Sequence, residues 1–329
     1  MSLGEFELIR RFFVRRDVAA ASTTAAASGL ALGIGDDCAL LAPTPGMQLA
    51  VSSDMLVEGR HFLSTVDPAR LGHKALAVNL SDLAACGATP RAFTLALALP
   101  AADEAWLSGF AQGLFALADA HGCALVGGDT TRGPLNICIT VFGEVPAGQA
   151  LLRSGARAGD DLWVSGTLGD ARLALEVFRG KAGISADAFA AARVRMEQPV
   201  PRVALGQALR GVASAAIDVS DGLLGDLGHI LDASGVGATV QADAAQSLLA
   251  CDEVIDAAQR LELALAGGDD YELCFTAPAA ARDAVLNAAQ RSGTRATRIG
   301  RIDAEPGVRV LDAQGQPVAR RFASFDHFA

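Results

Sequence analysis

The chain reads as an α/β (α+β) protein of two domains built on mixed sheets, and three observations predict it. Its 329 residues exceed what one ordinary core organises. Apolar runs of period two alternate with stretches of helical spacing along both halves. Between the halves, from Val145 to Arg157, glycines, a proline and two arginines interrupt the apolar periodicity. The expected domains are therefore 1–148 and 149–329.

Taken in order, residues 4–15 predict a short amphipathic helix with Phe6, Ile9 and Phe13 on one face. The Ala/Ser/Thr-rich stretch 18–29 has no period and reads as a mobile loop. A strand is expected at 49–53. Asp67-Pro68 supplies an N-cap and a proline at the first helical position, opening a helix to about Ala85. On that helix Ala75, Asn79, Asp82 and Cys86 recur at steps of three or four, which puts the Asp82 carboxylate on the stripe otherwise given to the core. Phe93 to Leu99 and Leu135 to Val141 alternate as strands, with helical spacing over 103–120 between them. Gly127-Gly128-Asp129 is expected in the loop between that helix and the final strand. The second half predicts strands near 161–165, 214–217, 271–276, 296–300 and 307–311, and helices near 169–179, 185–196 and 222–233.

Composition narrows the function. A hydrophobic fraction of 51% and a charged fraction of 19% fit a folded globular enzyme. With 27 basic and 37 acidic residues the net charge is −10, a field that repels nucleic acid and acidic membranes. Lysine occurs only at Lys74 and Lys181, so an anionic ligand must be held by arginine or by metal. The opening MSLGEFELIRRFFVRR interleaves charge with apolar residues too closely for a signal peptide, no uncharged apolar run of about 18 residues follows, and a cytoplasmic location is expected. The six cysteines include no C-x-x-C pair and read as small buried hydrophobes. The five histidines show no metal-ligand spacing.

One grammar recurs six times: Gly35-Asp36-Asp37, Ser52-Ser53-Asp54, Ser81-Asp82, Gly127-Gly128-Asp129, Asp218-Val219-Ser220-Asp221 and Gly267-Gly268-Asp269-Asp270 all set small residues and carboxylates at the edge of an apolar segment. A carboxylate buried beside an apolar run needs an arginine partner or a metal. Asp with Ser, Gly and Asn is a set of hard oxygen donors that suits Mg²⁺ rather than Zn²⁺. No EF-hand loop, no G-x-x-x-x-G-K-[ST] loop and no protein-kinase catalytic set is present. What remains is a nucleotide or phosphate held by Mg²⁺ on dispersed aspartates, with glycine backbone close to the phosphates; the ions would turn an acidic pocket into an anion receptor.

The stretches GIGDDCALL (33–41), SSDMLVEGRHF (52–62), GHKALAVNLSDLAACGATP (72–90), GGDTTRGP (127–134), IDVSDGLLGDLGHI (217–230) and GGDDYELCFT (267–276) together resemble the signature blocks of the thiamine-monophosphate kinases. That family is related to aminoimidazole ribonucleotide synthetase and selenophosphate synthetase, and the likeness runs in order from Gly4 to Phe328. It implies ATP-dependent phosphorylation of thiamine monophosphate to thiamine diphosphate by direct transfer. It further implies Mg²⁺ on Asp37, Ser52, Ser53, Asp54, Asp82 and Asp129, with Asp218 and Asp221 adding ligands, and Asp36 as a turn residue beside Asp37. Gly128, Asp129, Arg153 and Ser220 would contact ATP; His61, Asp269 and Phe325 would face thiamine monophosphate. The implied fold pairs the amino-terminal domain with its twin in a homodimer that shares a barrel, and the carboxy-terminal domain completes the nucleotide and substrate site. The family block usually carries glutamate where Asp269 stands, so the carboxylate here is one methylene shorter. Tyr271, the single tyrosine of the chain, reads as structural. The reactive cysteine of selenophosphate synthetases and the terminal cysteine of hydrogenase-maturation relatives are both missing.

Overall fold

The computed structural model describes residues 4–15, 29–253, 256–320 and 322. Most of the stretch expected to be a mobile loop, 18–29, and Phe325 lie outside the described residues. The chain divides into two compact units, Met1–Leu83 with Ala88–Gly148, and Ala84–Gly87 with Gln149–Ala329. Among the described residues no helix is long and apolar enough to cross a membrane.

The first unit begins with α1 (Glu5–Leu8), which continues as a π-helical turn, Ile9–Phe13. Along this stretch Phe13 is 5% exposed and Phe6 75%. Two short strands, β1 (Leu30–Leu32) and β2 (Leu40–Leu41), pair with each other. Then come β3 (Met47–Val57), α2 (Pro68–Ala85), β4 (Thr89–Leu99), α3 (Glu104–Ala120), β5 (Ala124–Arg132) and β6 (Asn136–Pro146). Asp67 Oδ1 accepts the N–H groups of Ala69 and Arg70 at 2.9 and 3.1 Å and starts α2.

The sheet order is β3-β6-β4-β5. β4 and β5 are parallel across the α3 crossover, and β6 is antiparallel to both β3 and β4. Here the sequence expectation needs correction, because Gly127-Gly128-Asp129 lies inside β5 and not in a loop. Glycine weakens a strand on its own account, but at Gly128 it is required: φ is 144°, and a Cβ would stand 1.9 Å from the Leu95 carbonyl oxygen. Pairing with β4 holds a stretch that local propensity assigns to a turn.

The second unit contains β7 (Asp160–Ser165), α4 (Asp170–Phe178), α5 (Ala186–Glu197), α6 (Val203–Ala208), β8 (Ala215–Val219), α7 (Leu223–Ser234), β9 (Gly237–Gln241), α8 (Ala242–Gln246), α9 (Ala257–Ala266), β10 (Glu272–Pro278), α10 (Arg282–Arg291), β11 (Ala296–Asp303) and β12 (Gly307–Leu311). The strand β9 and the helices α6, α8, α9 and α10 had no counterpart in the sequence expectation. Six strands form one sheet in the order β12-β9-β11-β7-β10-β8, antiparallel except for β12 against β9. β7 and β8 are buried at every position, so side chains pack on both faces. Leu162, Val164, Ile217, Val219, Leu223, Leu227 and Ile230 belong to one core cluster, and Trp163 stacks on Phe275 at 6.4 Å between ring centroids. This is the mixed α/β architecture that the sequence predicts, with no closed barrel among the described residues.

Candidate active site

Alternation along β3 sends successive side chains to opposite faces of the sheet. Ser52 and Asp54 are half-buried and turned toward α2, where Asn79 and Asp82 lie one turn apart. Ser52 Oγ donates to Asp82 Oδ2. The Asp54 N–H donates to Asn79 Oδ1 at 3.1 Å, and Asn79 Nδ2 donates to the Ala75 carbonyl at 3.0 Å, which fixes the amide. Ser53 is not brought to this cluster. Its hydroxyl lies on the other face, hydrogen-bonded to Thr140 Oγ1 at 3.0 Å and donating to the Ile139 carbonyl at 3.2 Å.

A second cluster surrounds a cavity of about 520 Å³. Asp36, Asp37, Gly127, Gly128 and Asp129 line it on the polar side, and Phe6, Ile9, Phe13, Leu95 and Leu125 supply its apolar wall. Asp36 Oδ1 accepts the Asp37 N–H at 2.9 Å. Asp37 and Asp129 are exposed.

His61 closes the turn that follows β3. Its Nδ1 accepts the Val57 N–H at 2.9 Å, which places the ring hydrogen of the neutral imidazole on Nε2. Lys74, 2% exposed, donates from Nζ to the His61 carbonyl at 3.2 Å and anchors the same turn from α2.

In the second unit the functional grammar gathers where β8 ends. Asp218, 7% exposed, pairs with Leu273 in the β8–β10 register. Beyond it the segment 267–271 runs beside 219–221: the Ser220 carbonyl accepts the Asp269 N–H at 2.7 Å and the Val219 carbonyl accepts the Tyr271 N–H at 2.8 Å. Gly268 makes the approach possible, since a Cβ there would stand 2.5 Å from Ser220 O. Asp269 (φ 74°) and Tyr271 (φ 52°) are the non-glycine residues in the left-handed region among the described residues. Ser220, Asp221 and Asp269 thus share one surface, all half-buried.

Beneath that surface lie buried acids. Asp226 Oδ2 accepts the N–H groups of Ser220, Asp221 and Gly222 at 3.0, 3.1 and 3.2 Å. Burial pushes its carboxyl up to about 6 against the pull of those N–H groups. Asp270 is 1% exposed; one oxygen accepts the Gly169 N–H at 2.8 Å, and the other has no hydrogen-bond partner among the described residues. Burial raises its carboxyl well above the usual range, more than the Gly169 N–H and Arg195 lower it. Glu272, fully buried, is held by Ser165 Oγ at 2.6 Å, Arg195 at 2.7 Å and Arg202 at 2.6 Å.

Arg153 is not brought to Ser220 along the backbone. Its carbonyl accepts Ser234 Oγ at 3.2 Å, at the carboxy-terminal end of α7. The 12 residues of α7 separate that end from Ser220 by about 18 Å. Phe325 lies outside the described residues.

The donors fit Mg²⁺. The first cluster offers two carboxylates, Asp54 and Asp82, beside neutral oxygens, the second has three lining its cavity, and among the described residues no three acidic, histidine or cysteine side chains already converge as a metal site. Mg²⁺ suits that arrangement, because it keeps several waters and takes one or two carboxylates with substrate phosphates completing its shell. Asn79, Lys74 and Asp226, none of which the motif reading placed in the site, hold its backbone. Their bonds run to main-chain groups, which carry no residue-type signal in the sequence.

Residues 35–145 match the N-terminal domain of the AIR synthase related proteins, and residues 157–313 match the C-terminal domain. The chain is 47% identical to the thiamine-monophosphate kinase of Salmonella typhimurium over 330 residues, covering 100% of this chain and 99% of that protein. The crystal structure of the thiamine-monophosphate kinase from Stenotrophomonas maltophilia superposes with a TM-score of 0.84 at 47% identity, over 97% of this chain and 99% of that one. A structure of AaThiL complexed with AMPPCP and TMP superposes with a TM-score of 0.73 at 30% identity, over 87% and 89% of the two chains. Likeness of that degree, end to end and in both domains, makes the chain a member of the thiamine-monophosphate kinase family.

Proposed function

We propose that the protein phosphorylates thiamine monophosphate with ATP, giving thiamine diphosphate and ADP. A phosphate oxygen of thiamine monophosphate attacks the γ-phosphorus of ATP in line. The new P–O bond joins the two phosphates of the product, and the bond to the β–γ bridging oxygen breaks, leaving ADP. The observation that carries the reading is the layout of the first unit, where Asp54 and Asp82 stand by the Ser52 hydroxyl and the Asn79 amide at β3 and α2, and Asp36, Asp37 and Asp129 line a cavity with the Gly127-Gly128 backbone. Mg²⁺ bound there would neutralise the phosphate oxygens between which the group passes.

In the first unit Asp37, Ser52, Asp54, Asp82 and Asp129 serve as Mg²⁺ ligands, and Gly128 with Asp129 meets ATP. Ser53, its hydroxyl committed to Thr140, contributes through its main chain. His61 offers Nε2–H to the substrate phosphate. In the second unit Asp218 and Asp221 add metal ligands, Ser220 and Arg153 meet ATP, and Asp269 and Phe325 face thiamine monophosphate. Arg153 is chemically suited, since a guanidinium forks onto phosphate oxygens.

The protein acts as a homodimer. The supporting feature is β3, an edge strand of 11 residues whose open face exposes Leu49, Val51 and Met55 at 49%, 55% and 54%. It works in the cytoplasm, a reducing setting that suits six cysteines with no disulfide among them.

Product analysis with ATP, Mg²⁺ and thiamine monophosphate tests the activity. Equimolar thiamine diphosphate and ADP are expected, both lost with EDTA. Binding of ATP without either product would overturn it.

A further inference from the structure

We infer that Asp226 is a positioning residue for this reaction, one that sets the groups assigned to both substrates while touching neither. The inference rests on the kinase reading above. Asp226 lies in the first turn of α7 and is 4% exposed. A single oxygen, Oδ2, gathers the N–H groups of three successive residues, Ser220, Asp221 and Gly222. Those N–H groups belong to the chain entering a helix, where the helix itself offers no acceptor. A hydroxyl cap satisfies one or two such groups; an anionic oxygen facing three of them holds the whole turn with charge-assisted bonds.

The consequence passes to a second turn. With the 220–222 peptides fixed, the Ser220 carbonyl is fixed too, and it accepts the Asp269 N–H at 2.7 Å. Asp269 keeps φ at 74°, a conformation uncommon for a non-glycine residue, and its surroundings hold it there. The imposing groups are Ser220 O and Val219 O, and Gly268 leaves no slack, since even a methyl group there would collide with Ser220 O. A shift of the 220–222 turn therefore shifts Asp269. One buried carboxylate thus sets the ATP-side Ser220, the metal-side Asp221 and the thiamine-side Asp269.

The test compares Asp226→Asn and Asp226→Ala with Asp161→Asn. Asp161 is another buried carboxylate of the same unit, but its bonds run to Arg282 and Arg298. Each variant is assayed well below its own melting temperature, and kcat is measured with KM for ATP and for thiamine monophosphate. Asp226→Asn keeps a neutral acceptor and should raise both KM values, lowering both kcat/KM values about 10-fold; Asp226→Ala should lower them about 10²-fold, the cost of a misplaced site. Asp161→Asn should lower the melting temperature and leave the kinetic constants alone. If Asp226→Asn melts lower yet keeps wild-type KM and kcat, Asp226 only stabilises α7 and the inference is wrong. If the alanine variant does not fold, the asparagine variant decides. Wild-type protein assayed in parallel separates the two claims: no thiamine diphosphate from wild type sinks the kinase reading and this inference with it, whereas an active wild type beside an unchanged Asp226→Asn sinks the inference alone.

Discussion

In the first unit Asp36, Asp37 and Asp129 are exposed, and Asp54 and Asp82 are half-buried beside neutral partners. In the second unit Asp170, Asp226, Asp270 and Glu272 are each 4% exposed or less, and their oxygens take backbone N–H groups or arginines. The residue types are the same and the work is different. A carboxylate left near water beside a hydroxyl can exchange its partner for a cation at little cost. One that is buried among main-chain donors cannot leave without stranding them. What separates the proposed ligands of the first unit from these four supports of the second is therefore the depth of the oxygen and the identity of the donor that faces it.

Substitutions can break this contrast. The largest effect should come from Asp82→Asn in the first unit. The amide keeps the bond from Ser52, so the melting temperature should stay near the wild-type value while kcat falls about 10³-fold. Normal turnover in that variant would remove Asp82 from the site.

Next in size is Glu272→Ala in the second unit. Removing the carboxylate strands Arg195 and Arg202 in the interior, and denaturant titration should show a loss of about 3–5 kcal/mol. The KM values of whatever folded protein remains should not move. A stability loss below about 1 kcal/mol would mean that the buried network is not what holds this unit together.

Asp269 sharpens the boundary between the two kinds, since it is half-buried, strained and assigned to substrate. Asp269→Asn keeps a residue that tolerates the left-handed region, so the backbone should persist while KM for thiamine monophosphate rises about 10-fold and KM for ATP stays. Asp269→Gly removes the strain as well, and should gain about 1 kcal/mol in stability while losing the same substrate affinity. Equal changes in both KM values would return Asp269 to a structural role.

The smallest effect concerns Glu144, a strongly partnered acid of the first unit's sheet. Burial raises its carboxyl, but the Thr44 N–H and hydroxyl and the Arg91 guanidinium outweigh that and hold it below the usual glutamate range. A folded pKa below the unfolded one contributes stability that is present above the unfolded value and is lost as pH falls through the folded one. Melting temperatures followed into acid should therefore fall less steeply for Glu144→Gln than for wild type.

Much of this was legible in advance. Asp67-Pro68 announced the start of α2, and the stripe Ala75, Asn79, Asp82, Cys86 put Asp82 on the face that the structure ties to Ser52. Period-two alternation could also have separated Ser53 from Ser52 and Asp54, because neighbours on a strand point apart. The Gly127-Gly128 pair was misread because its reason for being glycine is contact with Leu95 on the next strand, which no local window contains. Strand β9 is five residues long and begins on glycine, and α8 is also five residues, too little chain for a period to declare itself. Asp226 was invisible for another reason: its partners are backbone amides, and every residue has one.

The exposed edge of β3 carries a consequence of mass action. If a second copy covers Leu49, Val51 and Met55, each doubling of concentration favours the covered form, and the thermal midpoint climbs with protein concentration. In dilute solution the same 11 residues become a bare template for any extended chain. On that premise, storage at high concentration and dilution only at the moment of assay would keep the edge covered.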